Sequence, residues 1–239
     1  MAPNGSWGPV GGPVPFSARE GPVVRILVDG LDMSGKTTLV TSLVDTFEAL
    51  GHPAARHRGF LAGHHPVKKA LKRLKLVRQP DSAFITTAYL LGGYAVDAAL
   101  VRLDPPQPTG VILVQDGYVD RTVAFGMAGG PYLSAALALR CAHLFARFDL
   151  AVYLHAPVET RAERMAGREK IDAVDRRSVE DPAFAHRFNA FLLHGMGLRH
   201  RNLIVFDTSE HSPEHMTEIV VAAALGAEAV RASEFGRIA

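Results

Sequence analysis

Residues 23–39 read VVRILVDGLDMSGKTTL and contain Gly30, Gly35, Lys36 and Thr37 at the spacing G-x-x-x-x-G-K-T. Val23, Val24, Ile26, Leu27 and Val28 form a run suited to a buried strand, and the chain from Lys36 onward has the pattern of a helix. The glycine-containing turn therefore lies between strand and helix, the setting in which this motif cradles phosphate. Backbone N–H groups from Asp32 to Lys36 point into one concavity, and the helix N-terminus adds positive potential. Lys36 is placed to reach the outer phosphates and the Thr37 hydroxyl to bind Mg²⁺. The expected nucleotide-binding residues are Gly30, Met33, Ser34, Gly35, Lys36, Thr37 and Thr38. A Cβ at Gly30 or Gly35 would obstruct the phosphate or block a positive φ.

The chain around this motif has 239 residues and 48% hydrophobic content, enough for one sizeable core. A formal charge of +2 is too small to argue for nucleic acid, whereas a pI near 8.8 suits an anionic substrate. The single cysteine, Cys141 in LRCAHLF, excludes an internal disulfide and zinc-type Cys/His spacings, and is expected in the core. No run approaches about 18 apolar residues without a charge, and the N-terminus lacks a basic-then-apolar signal pattern. A soluble cytoplasmic protein with no membrane partner is the expectation. Residues 1–22, rich in Gly and Pro, read as a flexible tail before a domain over 23–226, with 227–239 as a C-terminal extension.

Beyond the cradle, Leu39, Leu43, Phe47 and Leu50 recur at helical spacing, and Gly51 is placed to cap that helix. Residues 54–60 give a weak strand. Residues 68–78 carry six Lys and Arg and no acid, which reads either as a solvated helix face or as a surface attracting an anion. A long apolar helix over 81–103 contains Gly92 and Gly93, whose helix cost of about 1 kcal/mol each calls for a close approach by another helix or a ligand. His64 and His65 read as a solvated surface pair. Residues 111–114 form a buried strand leading to Asp116, a carboxylate placed to hold the Mg²⁺ shell or orient an acceptor. A core helix over 131–148, a buried strand over 150–154, a helix from Pro157, a helix over 182–200, a strand over 202–206 and a helix over 213–225 complete the alternation. Strands 1, 3, 4 and 5 are expected to be the buried ones. Residues 161–177 mix six Arg and Lys with four acids, the composition of a mobile segment that closes over triphosphate and supplies guanidinium donors.

The alternation implies an α/β protein with a parallel sheet covered on both faces, the three-layer αβα P-loop class. At this point the motifs become family-specific. DGLDMSGKTTL resembles the cradle of thymidylate kinases, QDGYVDRTVAFG (115–126) resembles their Asp-Arg-Tyr-x-x-Ser-x-x-Ala-Tyr segment, and LAVYLHAPVETRAERMAGRE resembles their fourth strand and lid. The resemblance implies an ATP- and Mg²⁺-dependent kinase acting on a small anionic acceptor, with a five-stranded parallel sheet, a helical lid at about 161–180 and often a homodimer. It assigns catalytic roles to Lys36, Asp32, Asp116, Arg161, Arg164 and Arg168, metal roles to Thr37 and Asp116, and acceptor contacts to Asp32, Arg58, Phe60, Tyr118, Arg121 and Phe125. Met33 stands where some members place an arginine, so this chain resembles those whose catalytic arginine is in the lid.

Three departures fall on the acceptor half. Gly117 replaces the arginine expected beside Asp116, with Arg121 as its substitute. Gly126 replaces a base-reading amide, and RHRGFLAGHHP stands where Arg-Glu-Pro-Gly is expected. The implied acceptor is a nucleoside monophosphate like dTMP or a related phosphorylated or phosphonate compound. A hydroxyl kinase using Asp32 or Asp116 as base and a non-catalytic nucleotide-binding module are the alternatives.

Overall fold

The computed structural model describes residues 25–66, 83–103, 111–169, 171 and 173–235. The strand before the cradle, β1 (Arg25–Gly30), stands at the centre of a five-stranded sheet. The others are β2 (Ala54–Arg58), β3 (Ile112–Asp116), β4 (Leu150–His155) and β5 (Leu203–Asp207), in the order β2-β3-β1-β4-β5. All four pairings are parallel, with Val28 opposite Asp116 and Gly30 opposite Leu154. The strand order reverses at β1, so a crevice opens beyond its C-terminal end, where the cradle sits.

Period-2 alternation along β1 sends its side chains to two separate cores. Ile26 and Val28 pack with Leu39, Leu43 and Phe47 of α1 (Lys36–Ala49) and Val220 of α8 (Pro213–Phe235). Leu27 and Leu31 pack on the other face with α2 (Ala83–Leu103), α3 (Val119–Gly129) and α7 (Pro182–Arg199). The remaining helices are α4 (Tyr132–Arg140), α5 (Val158–Ala166) and α6 (Ala173–Glu180). This is the expected three-layer αβα arrangement. Gly51 has φ +83° and ends α1 as expected, and the Asp181 side chain caps α7 by accepting from Phe184 N at 2.9 Å.

Several local expectations need correction. β5 is an edge strand and only half-buried, because no strand among the described residues pairs with its outer side. The apolar run 131–148 breaks after α4 into a short 3-10 turn, Ala142–Leu144, and Cys141 at that break is half-buried. The last helix continues to Phe235. The tail and the basic run 68–78 lie outside the described residues.

α2 has the length and mean hydropathy, 1.4, of a membrane span. In this fold it is tied to its neighbours by Asp97, fully buried, which accepts from Ala62 N at 2.8 Å and from the Tyr118 hydroxyl at 2.6 Å. Its centre, Tyr89–Tyr94, widens into a π-helical turn. There the close approach required by Gly93 is supplied by Phe60, whose ring atoms would lie 2.3 Å from a Cβ at residue 93. Phe60 stacks on His65 with centroids 4.4 Å apart, and a His65 ring nitrogen is 2.9 Å from Gly93 O. His65 is thus a buried packing residue, not part of a solvated pair, because the π turn presents that carbonyl to it.

Gly93→Ala should gain helix propensity of about 1 kcal/mol yet lose stability overall by about 1–3 kcal/mol, since Phe60 must be displaced. Thermal unfolding measures this, and an unchanged or raised Tm would contradict the packing described.

Candidate active site

The cradle is shaped by three backbone features. Gly35, the N-cap of α1, has φ +91°, and Met33 takes φ +66°, a conformation that costs a non-glycine residue about 1 kcal/mol or more. At Gly30 the need for glycine comes from the sheet: a Cβ would lie 2.4 Å from Leu154 O and 2.6 Å from Ser34 Oγ. Thr37 and Thr38 are exposed at the start of α1, with their hydroxyls at the helix N-terminus. Lys36 folds back over the loop and donates to Gly30 O at 2.9 Å and Leu31 O at 2.8 Å, with Asp32 at 3.8 Å.

A second cation reaches the same point from the opposite layer. Arg121, in the first turn of α3, donates to Gly30 O at 2.7 Å and pairs with the Asp32 carboxylate. Gly117, with φ +69°, turns the chain out of β3 and donates to Val28 O at 3.0 Å. Arg121 thus stands one helical turn beyond position 117, where the arginine was expected, and reaches the cradle from there. Gln115 fastens the turn to the loop after β2, donating to Gly59 O at 3.0 Å and Gly117 O at 2.7 Å, with His57 at 2.7 Å from its oxygen. Asp116 pairs with Arg56 of the neighbouring strand at 2.5 Å. Arg58, exposed, is in register with Asp116 at the end of β2. Phe60, Tyr118 and Phe125 lie in the core among α2, α3 and α7; Phe125 meets Phe184 edge-on, and Tyr118 spends its hydroxyl on Asp97.

Of the three arginines expected in the lid, Arg161 and Arg164 separate by their phase on α5, and Arg168 lies beyond its end. Arg161 is buried and donates to Ala156 O at 3.2 Å and Ser178 O at 2.5 Å, binding α5 to α6. Arg164, one turn on, reaches the cradle: it donates to Met33 O at 3.0 Å and to the Thr208 hydroxyl and carbonyl, each at 2.9 Å. Arg168 lies 3.8 Å from Asp175. Arg164 is thus, of the three arginines expected in the lid, the one bonded to the cradle loop, and Thr208, Arg56 and Asp29 join the site without having been singled out in the sequence.

Asp29 is an acid whose ionisation the fold opposes. It is completely buried, Oδ1 accepts from Gly30 N at 2.8 Å, and Oδ2 has no hydrogen-bond partner. Burial pushes its pKa up to about 6 against the pull of Arg121 and Lys36. For Asp32 burial acts in the same upward direction, but Arg121 and Lys36 overcome it and hold the group down at about 2. Burial and Arg121 push Lys36 down to about 8 despite Asp32 and Asp29.

These residues suit a bound nucleotide triphosphate. The loop offers its N–H groups, and the carbonyls that hold Lys36 release it readily to a phosphate oxygen of higher charge. Among the described residues no three His, Cys, Asp or Glu side chains converge as a metal site. A Mg²⁺ would then draw on phosphate and water, with Thr37 and Asp116 as the protein groups nearest in kind.

The raised Asp29 pKa fixes the sign of a pH effect. The folded state holds this proton between about pH 4 and pH 6 and the unfolded state does not, so stability falls as pH rises through that window. At neutral pH the cost is of order 2–3 kcal/mol. Asp29→Asn should flatten the decline in denaturation profiles between pH 4 and 6 and raise the Tm at pH 7; an identical pH slope would contradict the assignment.

Residues 28–219 match the family model described as thymidylate kinase. A curated thymidylate kinase of Ruegeria pomeroyi (strain ATCC 700808 / DSM 15171 / DSS-3) is 28% identical over 143 residues, covering 59% of this chain and 67% of that protein. A family match over most of the chain, on a parallel sheet with the cradle after its central strand, shows that this chain belongs to the thymidylate kinase family.

Proposed function

We propose that the chain transfers the γ-phosphoryl group of ATP to the phosphate of a nucleoside monophosphate of the dTMP type, or to a closely related phosphorylated or phosphonate acceptor. The observation that carries this reading is the meeting of Lys36 and Arg121 on Gly30 O, with Asp32 between them. It joins a donor-side cation on α1 to an acceptor-side cation on α3 at one point of the crevice.

Transfer between two phosphates asks the protein for alignment and charge neutralisation. In this reading Lys36 and Arg164 hold the donor phosphates over the cradle, and Arg121 turns its guanidinium to the acceptor phosphate. An anionic oxygen of the acceptor attacks the γ-phosphorus, the bond to the β–γ bridging oxygen breaks, and ADP leaves. No proton need be removed. Bound Mg²⁺ supplies additional neutralisation of the phosphate oxygens. A hydroxyl acceptor would need a base, and Asp32, held at about 2 and paired with Arg121, is a poor one.

The test is ADP release from Mg-ATP with dTMP, dUMP, other nucleoside monophosphates, the matching nucleosides and small phosphonates. Turnover on one or more phosphate or phosphonate acceptors, reduced about 100-fold or more in Lys36→Ala, is expected. Turnover confined to nucleosides would overturn the reading. Arg121→Ala should raise the acceptor KM about tenfold or more and leave the ATP KM within about twofold, since removing a charged hydrogen bond to phosphate costs about 1.5–3 kcal/mol. Equal loss on both substrates would place Arg121 in the fold of the cradle alone.

A further inference from the structure

The chain leaves β3 for α3 through Gly117, which has φ +69° and no side chain to fix the direction of the turn. The anchors lie just beyond it. The Tyr118 hydroxyl donates to Asp97 of α2 at 2.6 Å. Asp120 meets Arg199 at the end of α7, with Nη2 donating to Oδ2 at 2.9 Å and Nε 2.8 Å from Oδ1. Both side chains of that pair are buried, Arg199 being 3% exposed and Asp120 2%. Arg199 is enclosed further: its guanidinium carbon lies 5.4 Å from the centre of the Tyr118 ring, and Nη2 is 3.2 Å from His200 Nε2. His200 has Nε2 3.7 Å from Asp120 and accepts from Phe148 N at 3.3 Å through Nδ1.

Stability alone does not call for this pair. Taking two charges out of water costs about as much as their attraction returns, and an apolar pair of similar volume is often equally stable or more so. Arg199 Nη1 adds to the cost, since it is buried and makes no hydrogen bond among the described residues. A forked guanidinium on a carboxylate does supply one thing that an apolar contact lacks, a single fixed orientation. Asp120 and Arg121 are neighbours in the first turn of α3, about 100° apart around the helix axis. With Asp120 fixed on α7, Arg121 is therefore aimed at the end of β1, where it donates to Gly30 O at 2.7 Å and pairs with Asp32. The Phe188 ring, also on α7, lies 5.8 Å from the Arg121 guanidinium.

We infer that Asp120 and Arg199 are positioning residues: their buried pair sets the rotation of the first turn of α3 and so aims the Arg121 guanidinium at the acceptor phosphate. This rests on the reading of Arg121 as the acceptor-side cation and extends it to a pair that itself touches no substrate. The effect falls on the acceptor, because the side chains that hold ATP in this reading, Lys36 and Arg164, come from α1 and α5.

The test replaces both charges together, Asp120→Leu with Arg199→Met, so that no lone charge is left buried. Thermal unfolding and steady-state kinetics on the best monophosphate acceptor are measured for this double variant and the wild type, and again for both with Arg121→Ala added. The double variant should keep its Tm within a few degrees, and its acceptor kcat/KM should fall about tenfold or more, chiefly through KM, while the ATP KM stays within about twofold. With Arg121→Ala already present, the same two replacements should change kcat/KM by less than about twofold, since no guanidinium is left to aim. A loss of equal size with and without Arg121, or an unchanged acceptor KM in a double variant that keeps its Tm, would overturn the inference and leave the monophosphate reading standing. If the double variant does not fold, Arg199→Lys, which keeps the charge and gives up the fork, is measured in the same way and judged by the same two outcomes. Wild-type turnover confined to nucleosides would overturn the monophosphate reading, and this inference with it.

Discussion

Two cations, Lys36 and Arg121, share the carbonyl oxygen of Gly30. Side by side they repel, and the arrangement stands because Asp32 and Asp29 lie within reach of both charges. The rest of the structure follows from that constraint. β1 must be central, so that a helix from each layer reaches its C-terminal end, and Gly30 must lack a Cβ, so that β4 can close against it. The turn at Gly117 must leave β3 at positive φ, so that α3 starts at the right height to present Arg121.

The first turn of α3 gathers much of the polar bonding of its layer. Tyr118 just before it bonds Asp97 of α2, Asp120 bonds Arg199 of α7, and Arg121 bonds the cradle. Burial opposes ionisation of Asp120, yet Arg199 and His200 draw its pKa below the ordinary carboxylate range. Breaking such a buried pair by removing one partner costs about 3–5 kcal/mol, so this turn is held from two sides while its third residue, Arg121, bonds the cradle. A rigid platform of that kind suits a reaction in which alignment carries much of the acceleration.

The cradle was legible in the sequence because it is local: residues 30–37 are contiguous, and the chemistry of Gly30, Gly35, Lys36 and Thr37 depends on a single turn between strand and helix. The α/β class was legible for a similar reason, since each buried strand and amphipathic helix announces itself within a few residues. Arg56 and Thr208 were not, because their meetings with Asp116 and Arg164 depend on the register and order of strands remote in sequence. Arg161 and Arg164 look alike in a charged run, and only the phase of α5 sends one into the α5–α6 joint and the other to Met33 O. Asp29 passed as one residue of a strand, and its significance lies in a hydrogen bond that no neighbour makes.

The central claim is that the cradle and the acceptor helix act as one unit through Arg121 and Asp32. A double-mutant cycle with Arg121→Ala, Asp32→Asn and the double variant, read as kcat/KM for the best monophosphate acceptor, tests it most directly. The account predicts a coupling of about 1 kcal/mol or more, the double variant losing much less than the sum of the single losses. Losses that add within about 0.3–0.5 kcal/mol would show that the two residues act independently and would contradict it.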